Sequence, residues 1–232
     1  MQEIARKIKK GYVGVGGVAR PFFSGGGLPT YYGHVTNPST ARFNMSGVTI
    51  GNKAVFAGGV ESSSYHGSTA SRAIDVYDSS LALTTSYLGT AKQCMAGIGT
   101  KDGWALLAGG KTRGVDSQTC TDVVQKLDAS LALTTAASGL AYGLYDAGAG
   151  TVGGYALVAG GHTNTSSGQR PEVYAYDSAL TRLQVSSLKA NNSQVSGCSL
   201  DNMVIFAGGV TETNVVAYNA SLTQTVSSQT YY

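Results

Sequence analysis

The chain has 232 residues; 32 are Gly, four are Pro and 12% are charged, against about 25% charged in ordinary globular proteins. A hydrophobic fraction of 42% with so little charge excludes a disordered chain, and Gly without a three-residue period or accompanying Pro excludes collagen. The formal charge of +3 is concentrated at one end: residues 1–20 hold Arg6, Lys7, Lys9, Lys10 and Arg20 against Glu3, and the remainder is near neutral, with no basic stripe for nucleic acid.

Taken in chain order, residues 1–35 are expected to form an N-terminal arm. Ile-Ala-Arg-Lys-Ile and Tyr-Val-Gly-Val alternate around Lys10–Gly11, which predicts a small β-hairpin or a segment that pairs with another chain. MQEIARKIKKGYVGV lacks the continuous apolar stretch of a secretory signal, and no apolar run nears the ~18 residues that span a bilayer. Neither secretion nor membrane insertion is expected.

From residue 36 onward the chain repeats itself. AVFAGG from Ala54, ALLAGG from Ala105, ALVAGG from Ala156 and VIFAGG from Val204 end on glycines spaced 51, 51 and 48 residues apart. Each is preceded by a small-residue segment (MSGVTIG, MAGIGT, AGAGTV, SGCSL) and followed by a block centred on Asp78, Asp128, Asp177 or Asn219. Short apolar runs bounded by Gly, Asp-Ser or Asn-Ala read as strands. Each repeat, at about 40–88, 91–138, 141–187 and 190–228, is therefore expected to give four strands: a small-residue strand, one ending in Gly-Gly, one carrying Tyr-Asp, and one rich in Leu and then Thr. Gly-Gly suits a sharp turn or a close neighbour, and the recurrent Asp suits a turn whose carboxylate accepts local N–H bonds. One such unit cannot bury both its faces alone. Stacking neighbours around an axis does so, which is the logic of a β-propeller. Four units are few for a closed ring, so closure is expected to draw on the arm, the last strand at Val226–Tyr232 or a second subunit.

The Gly-Gly strand end, the variable loop after it, the Val/Tyr-Asp block and the ~50-residue period resemble the kelch repeat. Its usual Trp after Tyr-Asp is absent here; the only tryptophan is Trp104, in the second Gly-Gly strand. The resemblance implies an all-β, kelch-like β-propeller of four four-stranded blades over 36–232. A second resemblance covers Ile4–Gly26, IARKIKKGYVGVGGVARPFFSGG, which looks like a basic-aromatic segment near the start of phage and prophage virion proteins of Gram-positive bacteria. It implies a tail-associated or particle-surface protein, made in the bacterial cytoplasm and carried in the virion. Arg6, Lys7, Lys9, Lys10, Tyr12 and Arg20 are then the docking candidates toward other virion proteins.

Other motifs carry less. Gly14-Val-Gly16-Gly17-Val-Ala19 and ALLAGGKT look like nucleotide-binding loops, but neither precedes a helical pattern, and no cofactor is expected. Cys94, Cys120 and Cys198 form no metal or disulfide pattern. Cys94 and Cys198 are expected to be buried small apolar residues in strands. His34, His66 and His162 lack metal spacing, no Ser sits in a GxSxG elbow, and no catalytic carboxylate pair stands out from the repeating Asp. The variable loops that follow Gly-Gly supply the binding candidates Tyr65, His66, Arg72, Arg113 and Arg170, in a Ser/Thr/Gly setting suited to adaptable recognition of protein or glycan.

The expectation is thus a non-enzymatic virion component that adheres to host-surface glycan or protein and sits as a homo-oligomer in its assembly, without nucleic acid as a partner. The alternatives are a polysaccharide-acting propeller enzyme and a general kelch-type interaction module.

Overall fold

A computed structural model describes residues 35–61, 69–112, 119–164, 168–211 and 214–227, and in addition the backbone of 10–15 and 18–24. The chain divides into two compact units, Met1–Thr36 and Asn37–Tyr232. In the first, β1 (Lys10–Val15) and β2 (Val18–Ser24) pair antiparallel with Val15 opposite Val18. Lys10–Gly11 therefore lies within β1 and is not a turn between paired strands. The docking candidates Arg6, Lys7 and Lys9 lie outside the described residues. Lys10, Tyr12 and Arg20 lie in β1 and β2.

The second unit is all-β, and its described residues form five antiparallel sheets. Its elements begin with β3 (Arg42–Phe43), β4 (Ser46–Ile50), β5 (Lys53–Ala57), β6 (Val60–Glu61), β7 (Thr69–Ala70), β8 (Ala73–Tyr77) and β9 (Leu83–Tyr87). Strands β4-β5-β8-β9 form sheet 1, and β3-β6-β7 form a short three-stranded ribbon beside it. Sheet 2 is β10 (Ala96–Gly99), β11 (Ala105–Ala108), β12 (Val124–Leu127) and β13 (Leu133–Thr135). Sheet 3 is β14 (Gly148–Val152), β15 (Tyr155–Ala159), β16 (Val173–Tyr176) and β17 (Arg182–Val185). Sheet 4 is β18 (Ser196–Ser199), β19 (Met203–Ala207), β20 (Val216–Asn219) and β21 (Gln224–Val226).

The second strand of each sheet shows how the sheets stack. Side chains alternate across a strand, and the two faces of AVFA, ALLA, ALVA and VIFA go to different neighbours. Val55 and Ala57 of sheet 1 meet Ala105 and Leu107 of sheet 2 in one apolar cluster. Leu106 and Ala108 of sheet 2 meet Ala156 and Val158 of sheet 3 in a second. Leu157 and Ala159 of sheet 3 meet Val204 and Phe206 of sheet 4 in a third. Leu88, Leu140 and Leu188, one from each connection between sheets, plug these clusters in turn. Four sheets thus share three apolar interfaces among the described residues.

The Gly-Gly pairs lock the same junctions. A Cβ at Gly58 would lie 2.3 Å from the Lys92 carbonyl oxygen, one at Gly109 2.3 Å from that of Leu144, and one at Gly160 2.7 Å from that of Asn192. All three glycines have φ near +65°, where L side chains are disfavoured. The following N–H groups of Gly59, Gly110 and Gly161 donate to those same carbonyls at 2.8, 2.7 and 2.9 Å. Only a residue without Cβ admits the next sheet's backbone this closely.

The Asp turns form as the residues imply. Asp78 Oδ1 accepts from Ser80 N–H at 2.8 Å and Ala82 N–H at 3.0 Å, and Asp128 Oδ1 accepts from Ser130 and Ala132 N–H, each at 2.9 Å. Asp177 and Asn219 repeat the pattern. These bonds hold Leu81, Leu131, Leu180 and Leu222 at positive φ, so the first leucine of each block belongs to the turn, and Leu83 and Leu133 open β9 and β13. The last strand among the described residues is β21, which ends at Val226; residues 228–232 of the strand expected at Val226–Tyr232 lie outside the described residues. Trp104 sits just before β11 rather than within it. The cysteine expectation also fails. Cys198 is exposed because the outer face of sheet 4 has no covering neighbour among the described residues, and Cys94 is half-buried outside any strand.

Candidate functional site

Each sheet's first strand is preceded by a residue in the left-handed region: Asn44 (φ 54°), Cys94 (53°), Asp146 (52°) and Gln194 (57°). The four are linked in order by backbone hydrogen bonds. Cys94 N–H donates to the Asn44 carbonyl at 3.1 Å, Asp146 N–H to the Cys94 carbonyl at 3.3 Å, and Gln194 N–H to the Asp146 carbonyl at 2.8 Å. Four non-glycine residues held at positive φ store backbone strain, which tends to concentrate at functional sites. They line a cavity of 590 Å³ with Phe43, Gln93, Met95, Lys111, Ala147 and Val195.

The rim on the loop side is built from sheets 2 and 3. Lys111 and His162 each directly follow a Gly-Gly pair, and isolated bridges Gln93↔Lys111 and Tyr145↔His162 tie them to the segments entering the first strand of their own sheets. Lys111 Nζ sits 3.9 Å from the Tyr145 ring centroid, and that ring lies 5.1 Å from the His162 ring. A cation over an aromatic face contributes about 0.5–1 kcal/mol at an exposed site. Here it also fixes an aromatic platform beside polar groups.

Beneath the platform the titrating groups favour neutral thiols. Burial pushes the Cys94 thiol up to about 11, with the Asp146 carboxylate adding to the shift. Burial likewise pushes Cys120 up to about 11. Asp146 itself is raised, chiefly by burial, against the opposing influence of Lys111. Cys120 Sγ donates to Asn164 Oδ1 at 2.7 Å. At neutral pH these thiols are hydrogen-bond donors, not thiolate nucleophiles. Among the described residues no group of three or more His, Cys, Asp or Glu is arranged to hold a metal ion.

Of the loop residues singled out from sequence, Tyr65, His66 and Arg113 lie outside the described residues. Arg72 is exposed, donates Nε–H to the Leu88 carbonyl at 2.8 Å, and lines a separate 650 Å³ cleft with Glu61, Ser71 and Tyr87. Arg170 stacks over the Tyr142 ring at 4.1 Å. Neither lines the cavity at the linked residues. Asn44, Lys111, Tyr145, Asp146 and Gln194 were not singled out for binding, and His162 read as an ordinary loop residue. Their signal was positional: each lies just before a first strand or just after a Gly-Gly pair, places that recur while the residue type changes. A second cavity, of 680 Å³, opens where the first and second strands of sheets 2, 3 and 4 turn, with Lys101, Asp102, Tyr155 and Asp201 on its wall.

These features define an all-β protein built of stacked four-stranded antiparallel sheets. A solved structure titled "Structure of YjhT" is similar, with a TM-score of 0.64 at 14% identity, covering 79% of this chain and 68% of that chain. No family model matches the chain, and no curated protein does.

Proposed function

We propose that residues 36–232 are a kelch-like β-propeller module and that the chain is a non-enzymatic virion component binding glycan or protein at the cavity of the linked residues. The propeller reading is supported by the sheet order, the alternating use of strand faces, and the likeness in fold to the YjhT structure. The binding reading is carried by one observation: Asn44, Cys94, Asp146 and Gln194, one from each sheet, converge on a single cavity beside the Lys111–Tyr145–His162 platform. Aromatic faces with amide, carboxyl and ammonium groups suit the apolar ring faces and hydroxyls of a sugar. The virion reading rests on the likeness of Ile4–Gly26 to the docking segments of such proteins.

A panel of bacterial surface polysaccharides tests the binding reading. At least one is expected to bind, and Tyr145→Ala or Lys111→Ala is expected to weaken it about tenfold, the scale of one lost aromatic or charged contact of ~1.4 kcal/mol. Binding unchanged by both substitutions would place the site elsewhere. A protein inventory of purified particles tests the virion reading, which fails if the chain is absent.

A further inference from the structure

Among the described residues, sheets 1 and 4 each have one face that no other four-stranded sheet covers, and the two faces are the two halves of the junction used three times inside the second unit. On sheet 4 this face presents Ile205, Ala207 and Ala217, all half-buried, and the exposed Cys198. Ile205 and Ala207 occupy the places of Leu106/Ala108 and Leu157/Ala159, which are buried against the next sheet. On sheet 1 the face presents Gly47, Thr49, Ala54 and Phe56, all exposed, with Phe56 at 37%. Ala54 and Phe56 hold the places of Ala105/Leu107, Ala156/Val158 and Val204/Phe206, which are buried against the preceding sheet.

The backbone at these edges is complementary as well. Gly58, Gly109 and Gly160 are buried against a carbonyl of the next sheet, but Gly208, at φ +73°, is exposed and has nothing within 4 Å of its Cβ position. The carbonyls received by the first three belong to Lys92, Leu144 and Asn192, each two residues before the linked residue of its sheet. Arg42, two before Asn44, is the matching residue of sheet 1. The linked series has a carbonyl at its Gln194 end and an N–H at its Asn44 end, and among the described residues no hydrogen bond joins the two.

We propose that the free face of sheet 4 docks on the free face of sheet 1 of a second copy of this chain, head to tail. Ile205 and Ala207 pack on Ala54 and Phe56, Gly208 and Gly209 receive the Arg42 carbonyl, and Asn44 N–H donates to the Gln194 carbonyl. The occupant is argued from continuity with the three internal junctions: the partner each edge lacks is the surface the other edge carries. Contacts of this head-to-tail kind close into rings or run on as filaments. Two chains contribute eight sheets, within the four to eight blades usual for propellers, so a two-chain ring is the smallest closed assembly.

The test is light scattering on the full chain at about 100 µM, well above a micromolar dissociation constant. The expected mass is twice 23.8 kDa. Phe56→Glu and Ile205→Glu alter only partly exposed side chains, and each is expected to give a monomer with an unchanged circular-dichroism spectrum. Phe56→Glu combined with Ile205→Lys in one chain is expected to restore the doubled mass through an opposite-charge pair. A wild-type monomer overturns the proposal, as does a doubled mass that survives both single substitutions. A wild-type monomer that doubles its mass only when residues 1–34 are removed also overturns it, and points to the N-terminal segment as the occupant. This joint is independent of the virion reading: a chain that assembles in solution yet is missing from particles upholds one and defeats the other.

Discussion

Sheet 3 and sheet 4 are built from the same repeat and differ in what covers them. In sheet 3 every residue of β16 is buried, and both faces of β15 are used, Ala156 and Val158 toward sheet 2, Leu157 and Ala159 toward sheet 4. In sheet 4, Val204 and Phe206 are buried while Ile205 and Ala207, which alternate with them, are partly open. Burial of apolar area contributes roughly 25 cal/mol per Å², so an interior sheet draws stabilisation from two neighbours and an edge sheet from one. The same repeat position can also be filled by different chemistry. Two residues before each linked residue, Leu144 packs with Tyr174 in an apolar cluster, while Lys92 donates from Nζ to Gln125 Oε1 at 2.9 Å. In sheet 1, Arg42 forms a fully buried ion pair with Asp75 and donates to the Gly58 and Ala73 carbonyls at 2.6 Å each.

The contrast between interior and edge is broken most directly at the glycines. Gly109→Ala would drive a Cβ into the Leu144 carbonyl at positive φ and is expected to cost about 4 kcal/mol, combining left-handed strain with overpacking. Gly208→Ala meets nothing and is expected to cost about 1 kcal/mol, from conformation alone. Urea unfolding of dilute protein measures both, and equal losses would erase the distinction. At high concentration Gly208→Ala is also expected to weaken self-association.

Breaking the ion pair comes next. Asp75→Ala strands a buried guanidinium and is expected to cost about 3 kcal/mol, the low end for such a loss, because Arg42 keeps its two carbonyl acceptors. Asp75→Asn, which retains an acceptor, is expected to cost less. A calorimetric melt in which the two variants coincide would mean that the retained acceptor contributes nothing and the loss belongs to the charge.

Lys92 sharpens the comparison by pH. Burial lowers its ammonium from 10.5 to about 8. Between those values the unfolded chain binds more protons than the folded one, so stability rises with pH. The gain is absent below about pH 7, sets in through pH 8 and is expected to reach about 2–3 kcal/mol by pH 10, at roughly 1.4 kcal/mol per unit. Above pH 10 the trend reverses as tyrosines ionise in the unfolded chain. In the folded one, burial pushes the Tyr218 hydroxyl up to about 12. Lys92→Met is expected to flatten the rise, and an unflattened urea-midpoint profile would assign it to another group. Smallest is the surface turn: Asp128→Ala removes the acceptor for Ser130 and Ala132 and is expected to lower the melting temperature by a few degrees. Asp128→Asn, the residue type standing at 219, is expected to preserve most of it.

Much of this was legible in residues. The Asp-Ser and Asn-Ala turns are local, since a short side chain bonds backbone two and four residues on, and they formed where the residues placed them. The alternating strands and Gly-Gly pairs were likewise readable, since a repeated pattern reports one local structure. The candidate site was less so. Lys111 comes from the second repeat and Tyr145 and His162 from the third, and only the packing of sheet 2 on sheet 3 brings Lys111 onto the Tyr145 ring. The order Asn44, Cys94, Asp146, Gln194 shares no residue type, because the position demands a backbone conformation and leaves the side chain free.

The sequence by itself determined an all-β chain of four similar units, since hydrophobic period and turn chemistry act over a few residues. Tertiary structure alone decided which units are interior and which are edges. VIFA is as apolar as ALVA, yet Ile205 and Ala207 are partly open where Leu157 and Ala159 are buried. Burial belongs to the neighbour a strand meets, and a strand's own residues do not state whether that neighbour exists.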